Sequence, residues 1–357
     1  MNRCLVFLIA LLAGSPVLAA DYLLTGSRPN SLHMIDLAAR KLVRSYSIPG
    51  PGVPGAISVA KDAKVAYVMT NHSESVVGID LDSGRQVFRA DMSTPEERVK
   101  SMFGMTVSLD GTKLYVYQIP TRMKRNEYVS LETRIAVYNT ADGVGAKPVK
   151  VFPAPRRIAL LAPTASPDRV VGMGWDFYVF DAKAGKIDQT HAVRNWQRKG
   201  IGEPDVLSMW HQYEQARVLS SPYYVANTDA APGSPEGFKV GILNFNLDTE
   251  KVSYAELANA DTAIFSSVVN PVNRDEVFTV MNQIFRVDMA QKKFVQRAEL
   301  GHTYYAINIS SDGKELYLGG ALDKVAVYDT ATLTKQGEIG MPEGADQSIS
   351  SMRMIQR

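Results

Sequence analysis

Apolar and polar residues alternate with a period of two along short segments of this chain. Near the C-terminus, AINIS (306–310) and KVAVYD (324–329) alternate in this way and are rich in Ile, Val and Tyr, and the turn SSDGK (310–314) follows the first of them. Such segments, separated by tight turns, are typical of β-strands and hairpins. No segment after residue 20 has the 3.6-residue period of an amphipathic helix longer than two turns. The pattern therefore predicts an all-β protein.

A phrase made of a strand, an Asp or Asn and a turn recurs seven times along the chain. Its anchor residues are Asp36, Asp80, Asn139, Asp181, Asn246, Asp288 and Asp329. Most successive anchors lie 41 to 44 residues apart, and two intervals are longer, at 59 and 65 residues. A repeat of about 40–45 residues built from short strands is typical of one blade of a β-propeller. The sequence therefore predicts a single seven-bladed propeller domain over residues 21–357.

The two ends of the predicted domain complement each other. DYLLTG (21–26) matches the second strand of a repeat, so the first repeat lacks its innermost strand. SISSMRMIQR (348–357) supplies one strand more than the last repeat needs. We expect this C-terminal strand to pair into the first blade and close the ring, because closure removes free sheet edges.

The first 20 residues, MNRCLVFLIALLAGSPVLAA, have one basic residue, an apolar run too short to span a membrane, and small residues at the end. These features predict a secretory signal peptide, cleaved after Ala19 or Ala20, and a periplasmic protein. The single cysteine, Cys4, lies in this segment. The chain after residue 20 therefore has no thiol for a disulfide, a nucleophile, a c-type haem or a metal.

Charge gives no indication of a nucleic-acid partner. The net charge of the whole sequence is +2, and removal of the signal peptide takes away one arginine and no acid. No run of Lys and Arg is present. Proteins that bind nucleic acid through the phosphate backbone carry a clustered basic surface, which this composition does not indicate.

Length variation is concentrated in one set of connections. The turns between the first and second strands of a repeat, and between the third and fourth, are short and uniform. The connections between the second and third strands, and between blades, include four long segments, 92–104, 118–134, 192–210 and 226–239. Because neighbouring strands of a blade are antiparallel, these four segments fall on one face, which we call the elaborated face. Loops on a rigid scaffold usually carry binding residues, so this face is the predicted working face; neutral loop drift is the alternative.

Aromatic residues accompany the long connections. The candidates for a substrate cavity or a partner-contacting surface are Phe103, Trp210, Tyr304, Tyr305, Trp196 and Trp175. Phe103, Phe265 and Tyr305 share one register, just before the inner strand of their blades. Residues there would surround the mouth of the central channel and give an apolar wall to a ligand or a partner. Packing between blades is the alternative for each of them.

The residues indicate no catalytic, cofactor-binding or metal site in this chain by itself. The histidines have no metal-binding spacing: His33, His72, His191, His211 and His302. Serine-nucleophile, phosphate-loop and dinucleotide motifs are absent from the sequence. Several carboxylates fall near the elaborated face, where capping or solvated roles compete with general-base work: Asp176, Glu203, Asp205 and Asp261.

Four phrases are longer than a generic propeller motif. They are STPEERVKSMFG (93–104), EPDVLSMW (203–210), HTYYAINISSDG (302–313) and LGGALDKVAVYD (318–329). They resemble the β subunit of quinohemoprotein amine dehydrogenase, and the resemblance extends over the whole chain from residue 21. Similarity to the heavy chain of methylamine dehydrogenase, and to seven-bladed repeat proteins of the WD40 and YVTN type, is looser.

The resemblance implies a periplasmic heterotrimer of α, β and γ chains that oxidises primary aliphatic amines to aldehydes and ammonia. In that family the γ chain carries cysteine tryptophylquinone and the α chain carries two c-type haems. Electrons pass to a soluble acceptor, a cupredoxin or a cytochrome c. The β propeller has no prosthetic group, docks the γ chain and helps to enclose the substrate cavity, so the resemblance implies no catalytic centre in this chain.

Other functions stay open on the residues alone. A stand-alone periplasmic hydrolase of the lactonase-like propeller class needs polar or acidic residues that converge on the channel mouth, with or without a divalent metal. A plain protein-interaction module needs only a binding face and has no quinone-bearing partner. A propeller that binds haem d1 needs a histidine placed as an axial ligand, and the sequence shows no clear one.

Overall fold

The computed structural model describes residues 19–206, 212–347 and 350–357. The strands in these ranges form seven antiparallel sheets, which are the blades of a propeller. The helical segments described there are three short 3-10 turns, Thr140–Asp142, Pro235–Gly237 and Pro342–Gly344. The prediction of an all-β, seven-bladed propeller is confirmed. Within the described ranges, no helix has the length and apolar character needed to cross a membrane.

The strands are numbered in chain order. The first blade contains β1 (Asp21–Ser27), β2 (Ser31–Asp36), β3 (Lys41–Ser47) and β30 (Met352–Gln356). The second contains β4 (Ile57–Val59), β5 (Val65–Thr70), β6 (Ser75–Asp80) and β7 (Gln86–Asp91). The third contains β8 (Glu97–Lys100), β9 (Met105–Val107), β10 (Lys113–Met123), β11 (Tyr128–Ser130), β12 (Arg134–Asn139) and β13 (Lys150–Pro153).

The remaining four blades have four strands each. The fourth contains β14 (Leu160–Pro163), β15 (Arg169–Met173), β16 (Phe177–Asp181) and β17 (Lys186–His191). The fifth contains β18 (Asp205–Val206), β19 (Val218–Ala226), β20 (Phe238–Asn246) and β21 (Lys251–Asn259). The sixth contains β22 (Ile264–Val269), β23 (Glu276–Met281), β24 (Gln283–Asp288) and β25 (Lys293–Glu299). The seventh contains β26 (Ala306–Ile309), β27 (Glu315–Gly319), β28 (Lys324–Asp329) and β29 (Lys335–Gly340).

The anchor residues of the sequence repeat hold the turn between the third and fourth strands. The Asp80 carboxylate accepts the N–H of Ser83 at 2.6 Å, and Asp181 accepts that of Ala184 at 2.8 Å. This Asx turn satisfies a backbone donor that the strands leave free. A hydrogen bond from the Ser83 hydroxyl, together with the N–H bond, lowers the pKa of Asp80, and the N–H bond from Ala184 lowers that of Asp181. Asn139 is the exception, since its side chain makes no such bond to the 3-10 turn that follows it.

The C-terminal strand closes the ring as predicted. β30 pairs with β1 in antiparallel register, with Tyr22 opposite Ile355. Ala20 and Arg357 extend the pairing through two backbone hydrogen bonds, of 2.7 and 3.0 Å. β30 is thus the innermost strand of the first blade. Of the predicted closing segment, residues 348 and 349 lie outside the described ranges.

Apolar packing between blades forms the core. Third strands such as β28 are nearly continuous in their burial, whereas an outermost strand such as β25 alternates. The inner strands face a blade on both sides, and the outer ones have an edge in solvent. Between the second and third blades, for example, Phe88 packs edge-on against Tyr67 and Tyr138, with ring centroids 5.5 and 6.4 Å apart. The blades therefore form a rigid support for their connections.

Candidate functional site

A three-stranded ribbon rises from the third blade on the elaborated face. β10 runs past its blade partners, and its extension pairs with β8 on one side and β11 on the other. β8 belongs to the connection 92–104 and β11 to the insert 118–134, so two of the predicted long segments are joined in one sheet. Glu74 secures the base of the ribbon by accepting hydrogen bonds from Ser93 and Arg98. Burial opposes ionisation of Glu74, but these bonds and the charge of Arg98 leave its pKa below the ordinary value.

Exposed aromatic side chains are confined to the elaborated face in the described part of the chain. Tyr128 is 78% exposed, Phe238 62% and Trp175 45%. Tyr128 lies in the ribbon, while Trp175 and Phe238 lie at the connections between the second and third strands of blades four and five. Met102 and Leu322, also more than half exposed, lie on the same face. Apart from their position in long connections, the sequence has no signal that separates Tyr128 and Phe238 from buried aromatic residues.

Trp175 lies between two guanidinium groups. The Cζ atoms of Arg157 and Arg194 are 4.8 and 5.6 Å from the centroid of its ring, within the range of cation–π attraction. Arg194 also forms an ion pair with Glu203 at 3.4 Å, whereas Arg157 has no ion pair with a described residue. Trp175, Arg157 and Arg194, with Asp205, line a pocket of about 220 Å³. The pocket offers an aromatic surface and positive charge together.

Asp176 holds the turn of Trp175 and the connection of Arg194 together. Its buried carboxylate accepts hydrogen bonds at 2.8 Å from the backbone N–H of Val193 and from the side-chain amide of Asn195. The N–H of Arg194, between them, donates to the carbonyl of Trp175 at 2.9 Å. The carboxylate therefore attaches the connection after blade four to the turn that carries Trp175, which is the capping role rather than that of a general base.

Three of the predicted aromatic residues are buried among the blades. Trp196 packs edge-on against Tyr254, with centroids 4.9 Å apart, and its indole N–H donates to the carbonyl of Gly202. Phe103 lies in the core cluster shared by the second and third blades. Tyr304 stacks on the His302 ring at 4.1 Å, and burial raises the pKa of its hydroxyl to about 12.

The other predicted residues differ from these three. Tyr305 is half-buried and packs against Phe265, with ring centroids 5.0 Å apart, so the structure brings together two of the three residues predicted to share a register. Trp175 is exposed, as described above. Trp210 lies outside the described residues. The role of these side chains in a substrate wall stays a prediction.

A second feature lies at the opposite end of the propeller axis, on the face of the short turns. A cavity of about 470 Å³ is lined there by turns of the second to fifth blades and by the end of β30. In its wall, the guanidinium of Arg353 is 2.6 Å from the carboxylate of Glu214 and lies 4.6 Å from the centroid of the Tyr213 ring. Both carboxylate oxygens are buried, although the stem of the side chain is partly exposed. Burial raises the pKa of Glu214, and Arg353 offsets this only in part.

The cavity and the pocket do not include a set of three or more His, Cys, Asp and Glu side chains placed to hold a metal ion; no such group occurs among the described residues. The acids nearest the cavity, Glu214 and Asp248, each pair with an arginine.

Comparison with known proteins places the chain among β-propellers. No family model matches it, and no curated protein is significantly similar in sequence. Among solved structures it is similar to hydrazine synthase of Kuenenia stuttgartiensis, with 15% identity and a TM-score of 0.58, over 85% of this chain and 90% of that one.

Two further structures show the same likeness. A protein of unknown function from Desulfotomaculum acetoxidans is 9% identical with a TM-score of 0.60, over 94% of this chain and 99% of that one. Apo AztD from Citrobacter koseri is 11% identical with a TM-score of 0.51, over 94% and 98%. At such identities the comparisons show the fold alone. The more specific resemblance to an amine dehydrogenase subunit stays a prediction.

Proposed function

We propose that this chain is the cofactor-free β subunit of a periplasmic quinohemoprotein amine dehydrogenase, which oxidises primary aliphatic amines to aldehydes and ammonia. In that role the elaborated face docks the γ chain and walls the substrate cavity, and an α chain with two c-type haems completes the complex. When bound, the cysteine tryptophylquinone of the γ chain supplies the oxidising chemistry, and a soluble cupredoxin or cytochrome c takes the electrons. The residues of this chain bind the partner, position it and exclude water.

The composition of this chain agrees with cofactors that are attached to its partner chains and not to the propeller itself. Both cysteine tryptophylquinone and a c-type haem are attached through cysteine, and the only cysteine of the sequence is Cys4, in the predicted signal peptide. The contribution of the propeller is therefore a surface. A water-poor apolar wall strengthens electrostatic interactions at a reacting centre and selects alkyl chains.

Among the described residues, the confinement of exposed aromatic side chains to the elaborated face is the observation that carries the docking role. Protein interfaces are enriched in aromatic residues, Met and Arg relative to the rest of the surface. Tyr128, Trp175 and Phe238 belong to three different blades, and Met102 is exposed on the same face. A partner that spans blades three to five would cover all of them.

Trp175 is the central contact of this proposed interface. Trp and Arg dominate the residues whose truncation costs most binding energy, and Trp175 lies beside two arginines over a small pocket. The positive charge of Arg157, which no described residue neutralises, favours an acidic side chain of the partner at this point.

Tyr305 is the residue that we place in the substrate wall, together with Trp210. Tyr305 is half-buried against Phe265 and lies just before β26, in a connection on the elaborated face. Phe103, Tyr304 and Trp196 are more deeply buried and support the wall from behind.

The structural likeness to hydrazine synthase supports the coarser form of the proposal, a propeller chain of an oxidoreductase complex. A stand-alone hydrolase has less support, because Glu214 and Asp248 at the axial cavity are each neutralised by an arginine. A plain interaction module would use the same face but would have no quinone-bearing partner.

Purification of the native protein from periplasm under mild conditions tests the proposal. Co-elution of a small quinone-staining chain and a haem-staining chain, with amine-dependent reduction of a soluble acceptor, is the expected result. A propeller that elutes alone, or that hydrolyses lactones by itself, would overturn the amine dehydrogenase assignment.

A pair of variants locates the interface. Trp175→Ala is expected to weaken binding of the partner chains by about 30-fold or more, the effect of losing roughly 2 kcal/mol at an interface hot spot. Val272→Ala is the matched control, since Val272 is 71% exposed on the face of the short turns and should leave binding unchanged. Equal retention of the partners by both variants would place the interface elsewhere.

A further inference from the structure

The cavity on the propeller axis has the size and the lining of a small-molecule site. Its volume of about 470 Å³ falls within the roughly 300–1,000 Å³ of most ligand pockets. Val59, Leu109, Pro163 and Ile355 give it an apolar wall from four different blades. It opens on the face of the short turns, away from the elaborated face, so it is separate from the proposed docking surface.

The charges that line the cavity do not cancel. Arg353 is paired with Glu214 at 2.6 Å, and Arg217 with Asp248 at 3.1 Å. The fifth charged residue of the lining, Lys61, forms no ion pair or side-chain hydrogen bond with a described residue. Among the described residues of the lining, three cations and two carboxylates leave a net charge of +1. A ligand with one negative charge would neutralise it.

Gln215, in the same lining, has a hydrogen-bond donor left unsatisfied by the described residues. The side-chain amide nitrogen of Gln215 is buried and has no hydrogen-bond partner in the described structure. A buried donor without a partner costs about 1–3 kcal/mol, which a bound acceptor recovers. Gln215 lies one residue from Glu214, so the donor and the buried ion pair are held by the same segment between β18 and β19.

We propose that the axial cavity binds a small aliphatic carboxylate. Its head group is held by the ammonium of Lys61 and the amide of Gln215, and its alkyl chain lies against Val59, Leu109 and Ile355. The ion pair of Arg353 and Glu214 closes the inner wall and remains intact. This site requires neither the γ chain nor the α chain, so its test is independent of the proposed amine dehydrogenase function.

Calorimetric titration of the purified protein with hexanoate, hexylammonium and hexanol tests the proposal. Hexanoate is expected to bind at least tenfold more tightly than the other two, because only its head group neutralises the lining. Failure of hexanoate to bind at millimolar concentration, or equal binding of hexylammonium, would overturn it.

Two matched pairs of variants locate the bound molecule. Lys61→Met is expected to weaken hexanoate binding about tenfold, whereas Lys64→Met, in the same exposed turn but outside the lining, should not change it. Val59→Phe fills the cavity and should abolish binding, whereas Val272→Phe adds the same ring on the same face outside it. Thermal unfolding shows whether each variant is folded. Unchanged binding in Lys61→Met, or in a folded Val59→Phe variant, would contradict the proposed site.

Discussion

Substitution of Arg353 by methionine tests how the closing strand is attached to the rest of the ring. Arg353 lies in β30, and its side chain is 3% exposed. It reaches across the axis to Glu214, in the segment between the first and second strands of the fifth blade. Methionine keeps the apolar stem of the side chain and removes the charge. The carboxylate of Glu214 would then be buried without its counter-charge.

The expected loss of stability is large. Removing one partner of a buried ion pair typically costs about 3–5 kcal/mol, because the remaining charge is not compensated. With an unfolding entropy of about 2.1 cal/mol/K per residue over roughly 340 residues, this corresponds to a Tm lower by about 4–7 °C. Arg28→Met is the control: the Arg28–Asp346 pair is exposed, and such pairs contribute about 0–1 kcal/mol.

The pH dependence has a defined sign. Burial raises the pKa of Glu214, so the folded protein holds this proton more tightly than the unfolded chain, whose Glu has its ordinary value of 4.5. The contribution of Glu214 to the free energy of unfolding is therefore fully present below pH 4.5 and is lost as the pH rises through the raised pKa. Loss of Arg353 raises that pKa further. The decrease in Tm of Arg353→Met relative to the wild type is thus expected to be largest at neutral pH and smaller near pH 5.

Thermal unfolding followed by circular dichroism at pH 7.5 and pH 5 measures both effects. The double variant Arg353→Met with Glu214→Gln removes the uncompensated charge, so it should recover part of the lost stability at pH 7.5. A Tm of Arg353→Met within 1 °C of the wild type, or additive losses in the double variant, would refute the reasoning.

Two further predictions concern a turn and the proposed substrate wall. Asp80→Ala should lower the Tm by about 1–2 °C at pH 7, whereas Asn139→Ala should not, because of these two residues only Asp80 accepts a turn N–H. The difference in Tm between the two variants should fade below pH 3.8, the ordinary pKa of an aspartate carboxyl group. At such a pH the Asp80 carboxylate becomes protonated in the folded state too. An equal effect of both substitutions in thermal unfolding would contradict this explanation of the repeat. In the proposed amine dehydrogenase complex, Tyr305→Ala and Trp210→Ala should raise the apparent KM for long-chain amines several-fold and that for short-chain amines less. Steady-state kinetics over a series of chain lengths checks this, and an equal change at all lengths would indicate packing instead.

The blades could be predicted from the sequence because their determinants are local. Alternation with period two sets the strands, and an Asx turn three residues long marks the same corner in six of the seven repeats, for which Asp80 and Asp181 are examples. Closure by β30 followed from counting strands, since the first repeat lacked one and the last had one too many. Neither inference required knowledge of which residues meet across blades.

Exposure of the aromatic residues could not be predicted in the same way. Trp196 and Trp175 are both in connections on the elaborated face, yet Trp196 is 8% exposed and Trp175 is 45% exposed. Trp196 is covered by Tyr254, which is 58 residues away in sequence, and by the guanidinium of Arg198. The cavity on the axis was even less predictable from the sequence. Its lining residues Lys61, Gln215 and Ile355 come from three blades, and no local pattern links them.

The elaborated face is held in place by its own hydrogen bonds, and this affects how the energetics of the proposed docking should be interpreted. The turn of Trp175 is tied to the next connection through Asp176, and the ribbon of the third blade is tied to the second through Glu74. Side chains held in this way lose little conformational freedom on association, so less of the contact energy is offset by ordering. A few exposed aromatic residues on such a support can therefore hold a partner over a modest area, whereas the same residues on mobile loops would not. In the proposed complex, the long connections of the elaborated face would thus contribute to binding through their internal hydrogen bonds as much as through the residues that they expose.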